Sequence, residues 1–91
     1  MLKVDSTHRF KKDVKRLLRS GNTDFQKLKH VITLLAHEKP LPEKYKPHKL
    51  TGNWNDHMEC HIEPDWLLFY RIDVDNKILV LVRTGSHSDL F

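Results

Sequence analysis

Residues 57–72 read His57-Met58-Glu59-Cys60-His61-Ile62-Glu63-Pro64-Asp65-Trp66-Leu67-Leu68-Phe69-Tyr70-Arg71-Ile72, and the fold follows from this stretch. Met58, Cys60 and Ile62 alternate with His57, Glu59 and His61. That is the period of a strand that buries one set and leaves the other on an open face, with His61 beside solvent. Pro64-Asp65 interrupts the alternation, and Trp66 to Ile72 then reads as a buried strand. Asp73 to Lys77 supplies the next turn and Ile78 to Val82 a third strand, so this half of the chain is a meander.

Towards the N-terminus the period changes from two to 3.6. Phe10, Val14, Leu17 and Leu18 recur at helical spacing, with Ser6 or Thr7 to cap the start and Gly21 to end the segment. A second helix starts at Asp24 and lays Phe25, Leu28, Val31, Ile32 and Leu35 on one face until Pro40 and Pro42 forbid its continuation. Pro40 to Asn55 is an irregular connection carrying His48 and Trp54, and Leu2 to Val4 can add a strand. The expected fold is α+β, in the order β-α-α-β-β-β. Both helices pack on one face of a mainly antiparallel four-stranded sheet, in one domain spanning residues 1–91.

Sixteen Lys and Arg against twelve Asp and Glu give a net charge of +4 over 91 residues, which favours a polyanionic partner. Lys11, Lys12, Lys15, Arg16 and Arg19 crowd the outer side of the first helix, where a solvated face is the ordinary explanation and RNA contact a secondary one. Cys60 is the only cysteine. This excludes an intrachain disulfide and a multi-cysteine zinc cluster, suits a reducing cytosol, and leaves Cys60 a packing role. Met1-Leu2-Lys3-Val4-Asp5 has no signal-like apolar run, and no stretch is long and apolar enough to span a bilayer, so a cytoplasmic protein without membrane contact is expected.

Seven histidines are many for this length, and His48, His61 and His87 fall in irregular or solvent-facing segments. Imidazole titrates near neutrality, so such groups can share proton removal and proton donation across one phosphodiester. RNA brings its own nucleophile, the 2′-hydroxyl. The reaction needs a base for that oxygen, an acid for the departing 5′-oxygen and a cation for the charge growing on phosphorus. His87, Asp65, His48, His61 and Arg83 offer these groups. Singly, each is more often a structural residue, and their value lies in acting together. His87, past the last strand and beside Arg83, is the candidate general acid; Asp65 or His48 is the base, and His61 orients a neighbour or stabilises charge.

Three ordered stretches carry a resemblance: His48-Lys49-Leu50-Thr51-Gly52-Asn53-Trp54, Glu59 to Leu68 with Tyr70, and Arg83-Thr84-Gly85-Ser86-His87-Ser88-Asp89-Leu90-Phe91. With Lys12-Asp13 and the region from Leu34-Leu35 to Pro42, the chain resembles the YafQ-like branch of the RelE/ParE toxin superfamily, the ribosome-dependent mRNA endonucleases of bacterial type II toxin–antitoxin systems. The resemblance implies that His48, His61, Asp65, Arg83 and His87 line the active site and that Trp66 and Phe91 hold RNA, with no metal and no cofactor. It implies as partners mRNA on the ribosome, ribosomal RNA and a small acidic antitoxin, with operator DNA bound only through the antitoxin complex. The RelE branch proper differs, because the C-terminal segment here offers His87 and no tyrosine.

Trp66, opening an apolar strand, has core packing as its ordinary role, and Trp54 is assigned to packing. Phe91, after polar Ser88 and Asp89, has little core to join. A zinc hydrolase is disfavoured because neither a His-Glu-x-x-His helix nor a cysteine pair is present. A ParE-like toxin that binds DNA gyrase without catalysis is the alternative.

Overall fold

The computed structural model describes residues 1–21, 23–52 and 56–91; Trp54, expected to pack, lies outside them. Thr7 sets the first helix. Its hydroxyl accepts from the Phe10 backbone N–H at 3.1 Å and donates to the Val82 carbonyl at 2.7 Å, so it both caps α1 (His8–Ser20) and fastens it to the last strand. Gly21 at φ 75° ends α1 in the left-handed conformation that glycine adopts without strain. The Asp24 carboxylate caps α2 (Phe25–Ala36) by accepting from Gln26 N–H.

The remaining elements are β1 (Lys3–Ser6), a 3₁₀ turn at Glu43–Tyr45, β2 (His48–Lys49), β3 (Met58–Glu63), β4 (Trp66–Asp73), β5 (Ile78–Gly85) and α3 (His87–Leu90). They form one five-stranded sheet in the order β1-β5-β4-β3-β2, with β1 parallel to β5 and every other pair antiparallel. The expected α+β architecture is present, with one strand more than anticipated. The addition is β2, two residues inside the connection read as irregular, which pairs His48 with Glu59.

Phe10, Leu28, Val31 and Leu35 from the helices pack against Trp66, Leu68, Tyr70, Leu79 and Leu81 of the sheet. The opposite face carries a smaller cluster of Leu67, Phe69 and Leu90, joined by Leu50 and Val82. Most of the apolar burial that drives folding is therefore on the helix side, and the second face is left available for polar side chains.

A bulge decides which polar side chains those are. Leu81 pairs with Tyr70 but Arg83 pairs with Phe69, so Val82 is an extra residue in β5. Strict alternation from Leu79 and Leu81 would send Arg83 to the helix face. The extra residue moves it to the face of Phe69, and the strand runs on to Gly85 instead of ending at Val82 as expected. Cross-strand pairing then lines up His48, Glu59, Phe69 and Arg83 in one row, with His61, Leu67 and Gly85 in the next.

Gly85 joins β5 to α3 where no side chain fits. A Cβ there would lie 2.8 Å from Arg16 Nη2, 3.0 Å from Asp89 Oδ2 and 3.1 Å from Asp89 Cβ. Asp89 is held by its capping box with Ser86, so α3 itself would have to shift. Gly85→Ala is expected to destabilise the protein by about 1–3 kcal/mol, measurable as a lowered midpoint of thermal unfolding.

Candidate active site

α3 follows β5 after a single residue, Ser86, and this brings His87 back over the start of β4. The His87 ring Nδ1 lies 2.6 Å from Asp65 Oδ1, and the same oxygen accepts from the His87 backbone N–H at 2.9 Å. Asp65 sits in the β3–β4 turn. The backbone N–H and then the ring N–H of His87 hold its carboxyl below the ordinary value of 3.8, so it remains an anion where imidazole titrates. A carboxylate can only accept, so His87 Nδ1 carries the proton and Nε2 is the nitrogen left for a ligand.

Next to this pair stands Glu59, buried on β3. Its Oε1 is 3.3 Å from His61 Nε2 and 3.7 Å from His48 Nε2. The other nitrogen of each ring meets a carbonyl: His48 Nδ1 lies 2.8 Å from Lys46 O and His61 Nδ1 3.3 Å from Pro64 O. Carbonyl oxygens only accept, so both Nδ1 atoms carry protons and both Nε2 atoms face Glu59. Lys46 reaches this position through a left-handed backbone, φ 47°. The rings of His48, His61, His87 and Phe91 form a row, with successive centroids 6.2, 5.7 and 6.4 Å apart. Phe91 is 70% exposed at the end of the row and meets Phe69 edge-on at 5.5 Å.

His48, His61, Asp65 and His87 are thus brought together as the sequence suggested, with Phe91 beside them. Glu59 was missed as a site residue. Its signal was the alternation that put it on the open face with His61, but nothing local showed that β2 would bring His48 against it.

Arg83 stands on the right face, yet its guanidinium is committed elsewhere. Nε and Nη2 donate to Asp13 of α1 at 2.8 and 3.0 Å, and Asp13 also accepts from Thr84 N–H at 3.1 Å and Arg16 Nη1 at 2.9 Å. Burial alone would raise the Asp13 carboxyl, but the hydrogen bonds from Arg83, Thr84 and Arg16 outweigh it and hold the group below 3.8.

Trp66 departs from the expectation that it touches RNA. Its ring is buried on the helix face, edge-on to Phe25 at 6.1 Å, and its N–H donates to Thr84 Oγ1 at 2.9 Å. Thr84 in turn donates to Leu67 O at 2.7 Å. Trp66 therefore pins β4 to β5 from beneath. Thr84→Val would orphan the indole N–H and the carbonyl, with an expected loss of about 1–3 kcal/mol, read as a lower denaturant midpoint.

Cys60 is fully buried, and burial pushes its thiol up to about 12, which removes it as a thiolate nucleophile or ligand. Among the described residues, Glu59, His61 and His87 present possible metal-ligand atoms within 4.8 Å of one another. No helix of the described residues is long and apolar enough to cross a membrane.

Residues 2–91 match the family described as "Bacterial toxin of type II toxin-antitoxin system, YafQ". The chain is 40% identical over 89 residues to the mRNA interferase toxin YafQ of Escherichia coli, covering 97% of this chain and 94% of that protein. Its structure is similar to that of a metal-bound toxin from Helicobacter pylori, at TM-score 0.93 and 45% identity over the whole of both chains. It is also similar to YafQ in the Escherichia coli DinJ-YafQ complex, at TM-score 0.87 and 39% identity, covering 100% of this chain and 99% of that one. A match along nearly the whole length, in sequence and in fold, makes this chain a member of the YafQ family of toxins from bacterial type II toxin–antitoxin systems.

Proposed function

We propose that this toxin is a ribosome-dependent mRNA endonuclease that cleaves by 2′-hydroxyl attack, with histidines as acid and base. The observation that carries the reading is the placement of His87, oriented by Asp65, in one row with two further imidazoles around Glu59. The Escherichia coli relative is named an mRNA interferase, which supports the same target.

In this reading His48 Nε2, half-exposed and with Nδ1 tied to Lys46 O, takes the proton of the 2′-hydroxyl. The 2′-oxygen attacks phosphorus, the bond to the 5′-oxygen breaks, and His87 Nε2 delivers a proton to that oxygen. The products are a 2′,3′-cyclic phosphate and a 5′-hydroxyl. Asp65, considered as a base from sequence, fits better as the group that orients His87, because one of its oxygens takes both His87 donors. His61, with its Nε2 3.3 Å from Glu59 Oε1, stands next to the phosphate. Arg83, partly neutralised by Asp13, contributes field from the same face. Phe91 offers an exposed ring on which a base can stack, a contact worth about 1–3 kcal/mol.

A second reading is favoured by the carboxylate and two imidazoles of Glu59, His61 and His87, donors that suit a zinc or copper ion, and by the similarity to a metal-bound toxin. A bound ion would supply Lewis acidity there. It would also occupy a His87 nitrogen that a general acid must keep protonated, so the two readings exclude each other.

The test is purified protein with programmed ribosomes carrying mRNA in the decoding site, in chelator. Site-specific cuts with cyclic-phosphate ends, abolished by a single 2′-deoxy substitution at the cut, are expected. Activity restored only by metal would establish the second reading. No cleavage by the parent protein, with toxicity retained, would point to a binding toxin acting on a target such as gyrase. As in the DinJ-YafQ complex, a cognate antitoxin is the proposed partner, and the cytoplasm the proposed site of action.

A further inference from the structure

A cleft of about 340 Å³ opens beside His61, lined by Lys27 of α2, Lys44, Tyr45 and Lys46 around the 3₁₀ turn, and Ile62 to Pro64 at the end of β3. Its size falls within the range of small-ligand sites, about 300–1,000 Å³. Its floor is apolar, formed by the Tyr45 ring and Ile62, both mostly buried, with Pro64 alongside. Its rim is cationic. Lys27 is offset by Glu63, with Nζ 3.5 Å from the carboxylate. The Lys44 ammonium is held over the Tyr45 ring, 5.0 Å from its centroid. Among the described residues, no carboxylate pairs with Lys44 or Lys46.

Two features tie this cleft to the reaction. His61 lines it, and its Nε2 faces Glu59. Lys46 lines it too, and its carbonyl, on a left-handed backbone, holds His48 Nδ1. An apolar floor with two ammonium groups at the rim that no carboxylate among the described residues offsets matches a nucleotide, whose base or ribose lies against Ile62 and Pro64 and whose phosphate meets the lysines.

We propose that the cleft binds the RNA nucleotide adjacent to the cleaved linkage, with its phosphate held by Lys44 and Lys46. The proposal rests on the nuclease reading above. It makes the 3₁₀ turn a positioning device that grips the chain on one side of the scissile phosphate and fixes His48 on the other.

The experiment measures binding of a fluorescein-labelled, all-2′-deoxy hexanucleotide, which lacks the nucleophile and is not cut, by fluorescence anisotropy across a salt series. Lys44→Gln/Lys46→Gln is compared with the parent and with the charge-matched Lys11→Gln/Lys12→Gln, after matched thermal unfolding has shown all three folded. Losing one or two phosphate contacts should flatten the slope of log affinity against log salt by about 0.7 to 1.4. Affinity at low salt should fall roughly tenfold, and the control should bind as the parent does. Equal losses in both variants, or a slope unchanged in the cleft variant while the parent still cleaves programmed mRNA, would overturn the subsite and leave the nuclease reading standing. A parent that cleaves no RNA would remove both. Loss of binding to a polyglutamate peptide, with the oligonucleotide unaffected, would assign the cleft to an acidic protein partner and overturn the proposal.

Discussion

Replacing His87 with alanine is expected to lower the rate of mRNA cleavage by about 10²–10⁴-fold, the usual contribution of one positioned general acid. The fold should persist. His87 is exposed, and its removal leaves no buried polar atom behind: the partner freed is Asp65, itself in an exposed turn. Asp65→Asn tests the other half of the pair. It keeps the size of the side chain but removes the charge from a 2.6 Å hydrogen bond. A loss of kcat smaller than that of His87→Ala is expected, because the general acid remains but is less well oriented, with KM little changed. Single-turnover cleavage on programmed ribosomes, with circular dichroism as the folding control, measures both. A His87→Ala protein that is folded and cuts at the parent rate would remove His87 from the mechanism.

The second large effect is on stability. Asp13→Ala should cost about 3–5 kcal/mol, because it leaves the Arg83 guanidinium with an uncompensated buried charge. In a domain of this size that corresponds to a fall in Tm of roughly 12–40 °C. Arg83→Met in the same background should recover much of the loss, since removing both charges also removes the desolvation cost of each. A double mutant no more stable than Asp13→Ala would show that Asp13 acts chiefly through Thr84 N–H and Arg16. The pH dependence has a definite sign. The folded Asp13 carboxyl lies below its unfolded value, so its stabilisation is complete above the ordinary carboxylate range near 3.8 and disappears as pH falls through the folded value. Acid titration of unfolding free energy should show this loss in the parent, reduced in Asp13→Asn.

Local pattern carried much of this molecule. Alternation across Met58 to Ile62, the break at Pro64-Asp65 and the caps at Thr7 and Asp24 depend on neighbours a few residues apart. Helix and strand periods express that information directly. Composition supplied the basic charge, and the ordered histidine motifs supplied the family.

Trp66 and Arg83 could not be assigned in the same way. Alternation marks two faces without saying which face will bind RNA, and only the packing of Phe25 and the Thr84 hydroxyl shows that the Trp66 face lies under the helices. For Arg83 the period itself misleads, because the extra residue at Val82 exists only in the pairing of β5 with β4. Its charge is paired with Asp13, 70 residues away along the chain.

The α+β class, the histidines and carboxylate of the candidate site, and the family were therefore legible in local pattern, whereas β2 and α3 were not. Only the folded chain sets Glu59 between two imidazoles, joins Asp65 to His87 and shares Arg83 with a helix. Periodicity is a property of adjacent residues, whereas the partner of a buried charge and the register of a bulged strand are set by segments that meet only when the chain has folded.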